Sequence, residues 1–249
     1  MTNEPASRPT AKLKMVRAAA VVVGLALWFA TQSAIGAREF PLGITSFDLS
    51  EASRVLLAGD ALLVRSTSWN AYLAEHETAA NVLLITSSLI IDALGLFLLG
   101  WAIFGPSLRP FVGLLLLFAM RQACQVMCAL PAPPGMIWRD PGFPSLLVTY
   151  DVANDFFFSG HTALAVFGAV ELGRLGRRGL AILAASVAMF EIVVVLVLRA
   201  HWTLDVFTGA VAAMYVSRIL RWLAPRCDDW LERFCGEAGE RRPPNVATG

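Results

Sequence analysis

Apolar residues gather in this chain into six long blocks, at 16 to 36, 79 to 103, 109 to 130, 156 to 173, 180 to 198 and 203 to 223, separated by polar or proline-rich stretches. A helix crossing a hydrocarbon core of about 30 Å needs about 20 mostly apolar residues, which is the scale of these blocks. The pattern predicts an all-α, polytopic membrane protein: a six-transmembrane-helix bundle in one domain over 16–224, with polar tails at 1–15 and 225–249. The first block has the basic lead and small closing residues (Ala34, Gly36, Ala37) of a signal peptide. It exceeds an h-region of about 7 to 15 residues, however, and reads as a retained anchor helix.

Two connections are long. Between the first two blocks, Phe47, Leu49, Val55, Leu56, Leu62 and Leu63 fall loosely on one helical face, as in an interfacial helix at the bundle rim. Between the third and fourth, Pro131, Pro133, Pro134, Pro141 and Pro144 predict an ordered, non-helical cap.

Composition agrees with a lipid solvent, since 57% hydrophobic against 16% charged residues leaves too much apolar surface for a water-soluble globule. Arg and Lys set the orientation. With the N-terminus inside, fourteen lie on the cytoplasmic side and six (Arg38, Arg54, Arg65, Arg121, Arg139, Arg199) on the other, which gives N-in/C-in. A net charge of +1 with no basic stripe excludes nucleic acid as a partner. The four cysteines show neither disulfide-framework nor zinc spacing, so no metal or other cofactor is expected. Lys-poor, Ala- and Arg-rich usage favours a bacterial inner membrane, with the outer ends of the helices in the periplasm; in a eukaryote they would face the lumen of the endoplasmic reticulum or Golgi.

Two of the three histidines open predicted helices: His161 in Ser159-Gly160-His161-Thr162, and His201 in His201-Trp202-Thr203-Leu204-Asp205. Forty residues, one helical hairpin, separate them, so both end at the same, non-cytoplasmic membrane face. His201 and Asp205 are four apart and share a helical face, where the carboxylate can fix one ring nitrogen and turn the other outward as a nucleophile. Taken alone, such a pair is more often an ordinary helix contact. Ser159-Gly160 at a helix start offers free backbone N–H groups to a phosphate. The conjunction of both motifs on one face points to catalysis by His161, His201 and Asp205.

These motifs resemble those of the type 2 phosphatidic acid phosphatase superfamily, which carries Ser-Gly-His and a later His-x-x-x-Asp. The closer likeness is to sphingomyelin synthases and to plant phosphatidylcholine:diacylglycerol cholinephosphotransferases. Arg121 followed by Leu130-Pro131-Ala132-Pro133, Asp155 six before His161, and His201-Trp202-Thr203-Leu204-Asp205-Val206 match the former. Phe156-Phe157-Phe158 before Ser-Gly-His, and Arg199 two before the second His, match the latter. The phosphatases' Lys-x6-Arg-Pro string is absent, and Trp202 replaces the transferases' usual Tyr.

The resemblance implies transfer of a phospho-head group, phosphocholine or phosphoethanolamine, from a glycerophospholipid donor to a lipid-alcohol acceptor such as diacylglycerol or ceramide. His201, held by Asp205, would attack phosphorus while His161 acts as acid and base, with Arg121 and Arg199 clamping phosphate oxygens. Ser159, Gly160, Asp155 and Trp202 complete the expected substrate site, and Tyr150, Phe156, Trp138 and Asp151 are further groups for a cationic head group. A lipid phosphatase with the same triad is the alternative reading. A transporter, which Asp92 and Glu191 in apolar blocks would suit, predicts paired halves of related sequence, and none is seen. Asp92 and Glu191 are instead expected to be structural hydrogen-bonding groups.

Overall fold

The computed structural model describes residues 9–36, 46–128, 130–148, 150 and 156–236. Among these the chain is helical with no strand: α1 (Ala11–Gly36), α2 (Ser46–Gly59), α3 (Ala61–Arg65), α4 (Thr67–Glu75), α5 (Glu77–Phe104), α6 (Arg109–Met127), α7 (Gly160–Gly173), α8 (Arg178–Val197) and α9 (Thr203–Phe234). Five of them, α1, α5, α6, α8 and α9, are long and apolar enough to cross a membrane. The expected sixth, α7, has 14 residues and rises only about 21 Å, less than the hydrocarbon thickness.

Burial is arranged for lipid. On α5 the inward stripe is Ala80, Leu84, Ser87, Ser88, Ile91, Gly95, Leu98 and Ala102, at helical spacing, while Val82, Leu89, Leu96 and Phe97 are exposed. Ile182, Leu183, Met189 and Val193 are exposed on α8 in the same way. Large apolar side chains outside and Ser, Gln, Arg and Glu inside is the pattern that hydrocarbon surroundings select.

α7 runs through the middle, packed on α5, α6, α8 and α9. A Cβ on Gly113 would lie 2.2 Å from the Phe167 ring, so glycine on α6 is what lets α7 approach. The other ends of these helices are pinned by buried ion pairs. Arg109 donates bidentately to Glu171 at 2.8 and 2.9 Å and to the Ser217 carbonyl at 2.8 Å, joining α6, α7 and α9.

Several boundaries differ from the sequence reading. The block at 156–173 becomes helical only at Gly160, because Ser159 caps the helix by accepting from the Thr162 N–H at 3.3 Å, and Phe157 takes a φ of 100°. The block at 109–130 stops at Met127, where Cys128 turns extended ahead of the prolines. At the chain ends, residues expected in tails are helical. α1 starts at Ala11, with the Lys12 ammonium on the Cys235 carbonyl at 2.7 Å, and α9 continues through Pro225 to Phe234. In the first long connection the residues expected on one helical face are divided between α2 and α3, with Leu63 buried and Val55, Leu56 and Leu62 exposed.

The described part of the proline-rich connection, 130–148, is non-helical, as expected, and hydrogen-bonded to its surroundings. Prolines cannot donate, and here their carbonyls accept. Pro131 O receives the Trp202 indole N–H at 2.9 Å, Ala132 O the Ser53 hydroxyl at 3.1 Å and Pro133 O the Met136 N–H at 3.2 Å. Pro134 O receives the Arg199 guanidinium at 2.6 Å and Gly135 O the Asn70 amide at 3.1 Å. Gly135, with φ of 76°, makes the tight turn after Pro134, and a Cβ there would also lie 2.9 Å from the Asn70 side-chain oxygen. Further along, Asp92 on α5 accepts from the Ser145 hydroxyl at 2.9 Å and from the Leu146 and Leu147 N–H groups at 2.8 Å each. Glu191 accepts from Ser87 at 2.6 Å. Glu191 thus bonds inside the bundle, between α5 and α8, whereas Asp92 ties α5 to the proline-rich connection.

Candidate active site

The two histidine motifs meet because the starts of α7 and α9 are joined. The Ser159 N–H donates to the Asp205 carbonyl at 3.0 Å, and Gly209, one turn further along α9, faces the Ser159 carbonyl. A Cβ at Gly209 would sit 2.5 Å from that oxygen. That oxygen belongs to the backbone, so a side chain at Gly209 must push the helices apart. Gly209→Ala is expected to cost about 1–3 kcal/mol, read as a fall in Tm of several degrees in micelles. An unchanged Tm would show that α9 shifts away from α7 without cost.

His201 and Asp205 pair as their spacing implies: the His201 Nδ1 lies 3.2 Å from Asp205 Oδ2, and Asp205 is fully buried. The same carboxylate oxygen accepts from the Trp202 N–H at 3.0 Å. With Nδ1 turned to the carboxylate, Nε2 is the nitrogen left for chemistry. The start of α9 is held from outside as well, since Asp60, the N-cap of α3, accepts from the Thr203 N–H at 2.8 Å and from its hydroxyl.

A cavity of ≈ 50 Å³, room for a few waters, opens between these elements. Arg121, Gly160, His161 and His201 line it together with aromatic Trp28, Phe118, Trp138 and Phe156. His161 is nine-tenths buried, its Nε2 has no hydrogen-bond partner, and Trp138 meets its ring edge-on at 5.1 Å. Arg121 lies over Gly160, where a Cβ would stand 3.3 Å from its Nε, so the absent side chain makes room for the guanidinium. Its Nη1 donates to the Gln32 side-chain oxygen on α1 at 2.6 Å.

Of the other expected substrate residues, Ser159, Trp202 and Arg199 do not line this cavity. Ser159 is buried with its hydroxyl used as a cap. Trp202 is buried with its indole on the cap loop. Arg199 spends its two terminal nitrogens on Pro134 O and on the Thr67 hydroxyl at 3.0 Å. It also holds a left-handed φ of 52° at the end of α8, a position that glycine usually takes. Asp155 and Asp151 lie outside the described residues. Tyr150 packs against Trp138 at 5.2 Å with the rings tilted by 41° and bonds with Ser88, and burial pushes its phenol above the ordinary value. Among the described residues, no group of three His, Cys, Asp or Glu side chains is arranged to hold a metal ion.

Gln32, Trp28, Asp60 and Gly209 were not singled out by the sequence. Their roles arise from contacts across 46 to 143 positions, and no local spacing encodes such pairs.

Residues 60–221 match the family described as AtPDCT1/2, the plant phosphatidylcholine:diacylglycerol cholinephosphotransferases. The chain belongs to the AtPDCT1/2 family. The match takes in the cap, both histidine motifs and Asp60 at its first position, and makes the protein a lipid-acting enzyme of phosphocholine-transferase type. No curated protein and no solved structure matches the chain. Within the AtPDCT1/2 match the cavity draws on α5, α6 and α7 and on the α8–α9 turn, while Trp28 and Gln32 come from α1, ahead of the matched residues.

Proposed function

We propose that this AtPDCT1/2-family protein transfers a phosphocholine-type head group from a glycerophospholipid to a lipid alcohol through a phosphohistidine on His201. The observation that carries the reading is the convergence of His161, Arg121 and the Asp205-held His201 on one cavity. In the first half-reaction, the His201 Nε2 lone pair forms an N–P bond. The P–O bond to the donor's glycerol breaks, and protonated His161 gives its proton to the leaving alkoxide. The anionic phosphate beside His161 favours the imidazolium needed for this step. In the second, His161 takes the proton of the acceptor hydroxyl, whose oxygen attacks phosphorus as the N–P bond breaks. Both histidines then return to their starting states.

Arg121 supplies charge for the non-bridging oxygens, with Gln32 orienting it. Arg199 and Trp202 act through the cap they hold, while the ring faces of Trp28, Phe118, Trp138 and Phe156 suit a cationic head group. The likeness to sphingomyelin synthases and type 2 phosphatidic acid phosphatases supports the same chemistry. A sixth crossing by 156–173 and an N-in/C-in arrangement complete the proposal, with the site at the periplasmic or lumenal face.

The test is transfer by the purified protein in micelles, using labelled phosphatidylcholine or phosphatidylethanolamine with diacylglycerol or ceramide, chelator present. Labelled acceptor lipid is the expected product. Inorganic phosphate from phosphatidic acid with no transfer would replace the reading by the phosphatase alternative.

A further inference from the structure

The C-terminal end of α7 and the middle of α9 flank an open groove of ≈ 510 Å³, lined by Val170, Val211, Met214, Arg174, Arg218 and Arg221 among others. The two helices start side by side at the catalytic end, and each changes from apolar to basic along its course. Val170 and Arg174 are one turn apart on α7; Val211, Met214, Arg218 and Arg221 recur every three or four residues on α9. Arg218 stands about 20 Å along the helix axis from Asp205. The groove is therefore separate from the catalytic cavity and lies toward the opposite membrane face.

Its charge is poorly compensated. Glu171, the acid nearest Arg174, is already held bidentately by Arg109 and lies 3.9 Å from Arg174. Asp228 is bound to Ser107, the Leu108 N–H and Arg17. Asp229 and Glu232 face a neighbouring groove that shares Arg174 and Arg221 but not Arg218. The apolar wall is open to hydrocarbon, with Val211, Met214 and Tyr215 exposed by 41, 55 and 59%.

We propose that this groove binds an anionic glycerophospholipid that is not a substrate. Its phosphate is held by Arg174, Arg218 and Arg221, and an acyl chain lies along Val170, Val211, Met214 and Tyr215. Three arginines from two helices lining one groove suit a phosphate head group, and the apolar wall beside them suits the acyl chain that a free phosphate lacks. Because the reacting histidines stand at the starts of α7 and α9, the lipid would brace the catalytic pair from further along both helices.

The experiment is thermal unfolding of the full chain in maltoside micelles with added phosphatidylglycerol, phosphatidylcholine of the same chains, or soluble glycerol 3-phosphate. Phosphatidylglycerol alone should raise Tm by about 5 °C, and native mass spectra should retain one copy of it. Both effects should vanish in R218Q/R221Q and survive in part in R218K/R221K, with head-group transfer in neutral micelles unchanged. An equal rise with phosphatidylcholine, or a full rise in R218Q/R221Q, would overturn the proposal. A full rise with glycerol 3-phosphate would overturn the lipid assignment.

Discussion

Replacing His201 by alanine should abolish head-group transfer, lowering kcat/KM by at least about 10³-fold, while leaving the helical content and the mobility on gel filtration as in the parent protein. The side chain faces a small cavity and makes one hydrogen bond, to Asp205, so its removal disturbs little packing. The decisive measurement uses donor lipid labelled in its phosphate with no acceptor present. The parent protein should acquire acid-labile label and H201A none. H201A that retains transfer within about tenfold would move the nucleophile elsewhere.

The second large effect is expected at Asp205. Its carboxylate bonds both the His201 ring and the Trp202 N–H, and it is fully buried between α7 and α9. Asp205→Asn keeps an oxygen for the Trp202 N–H but removes the charge that orients and stabilises the imidazole, and should lower kcat by about 10²–10⁴-fold with little change in KM. Asp205→Ala should lose as much activity and also destabilise the fold by about 1–3 kcal/mol, because the Trp202 N–H is left buried without a partner. Loss of less than tenfold in D205N, or a loss carried by KM, would mean that Asp205 only caps α9.

The contact between His201 and Asp205, the pair proposed to be catalytic, was legible in the sequence because its geometry is local: four residues on a helix fix it, and one helical hairpin fixes which end His161 reaches. Residues named through motif likeness fared unevenly, since Arg121 lines the cavity but Arg199 and Trp202 do not. Arg199 and Trp202 stand beside His201 in sequence, yet their side chains turn to the Pro131–Gly135 carbonyls. Adjacency along a turn does not say which way a side chain faces. The number of long helices was read from apolar length, and Phe156–Phe158 lengthened the fourth block although those residues precede the Ser159 cap. Ser before Gly-His-Thr carried the correct start signal, and hydrophobicity outweighed it. Gln32 on Arg121 and Asp60 on Thr203 left no trace in any spacing, since each pair joins segments tied only by the finished bundle.

The cap, held to the surrounding helices and turns at the carbonyls of Pro131, Ala132, Pro134 and Gly135, also bears on how this enzyme meets its substrates. A roof so fastened is a poor door, and the wall contributed by α1 is the flank with the least of its surface buried among the long helices. A two-chained lipid entering there never leaves the leaflet. Its effective concentration is then a mole fraction in a two-dimensional fluid, so rates should follow the dilution of donor among other lipids and the order of their chains, with the amount of membrane in the tube having no effect.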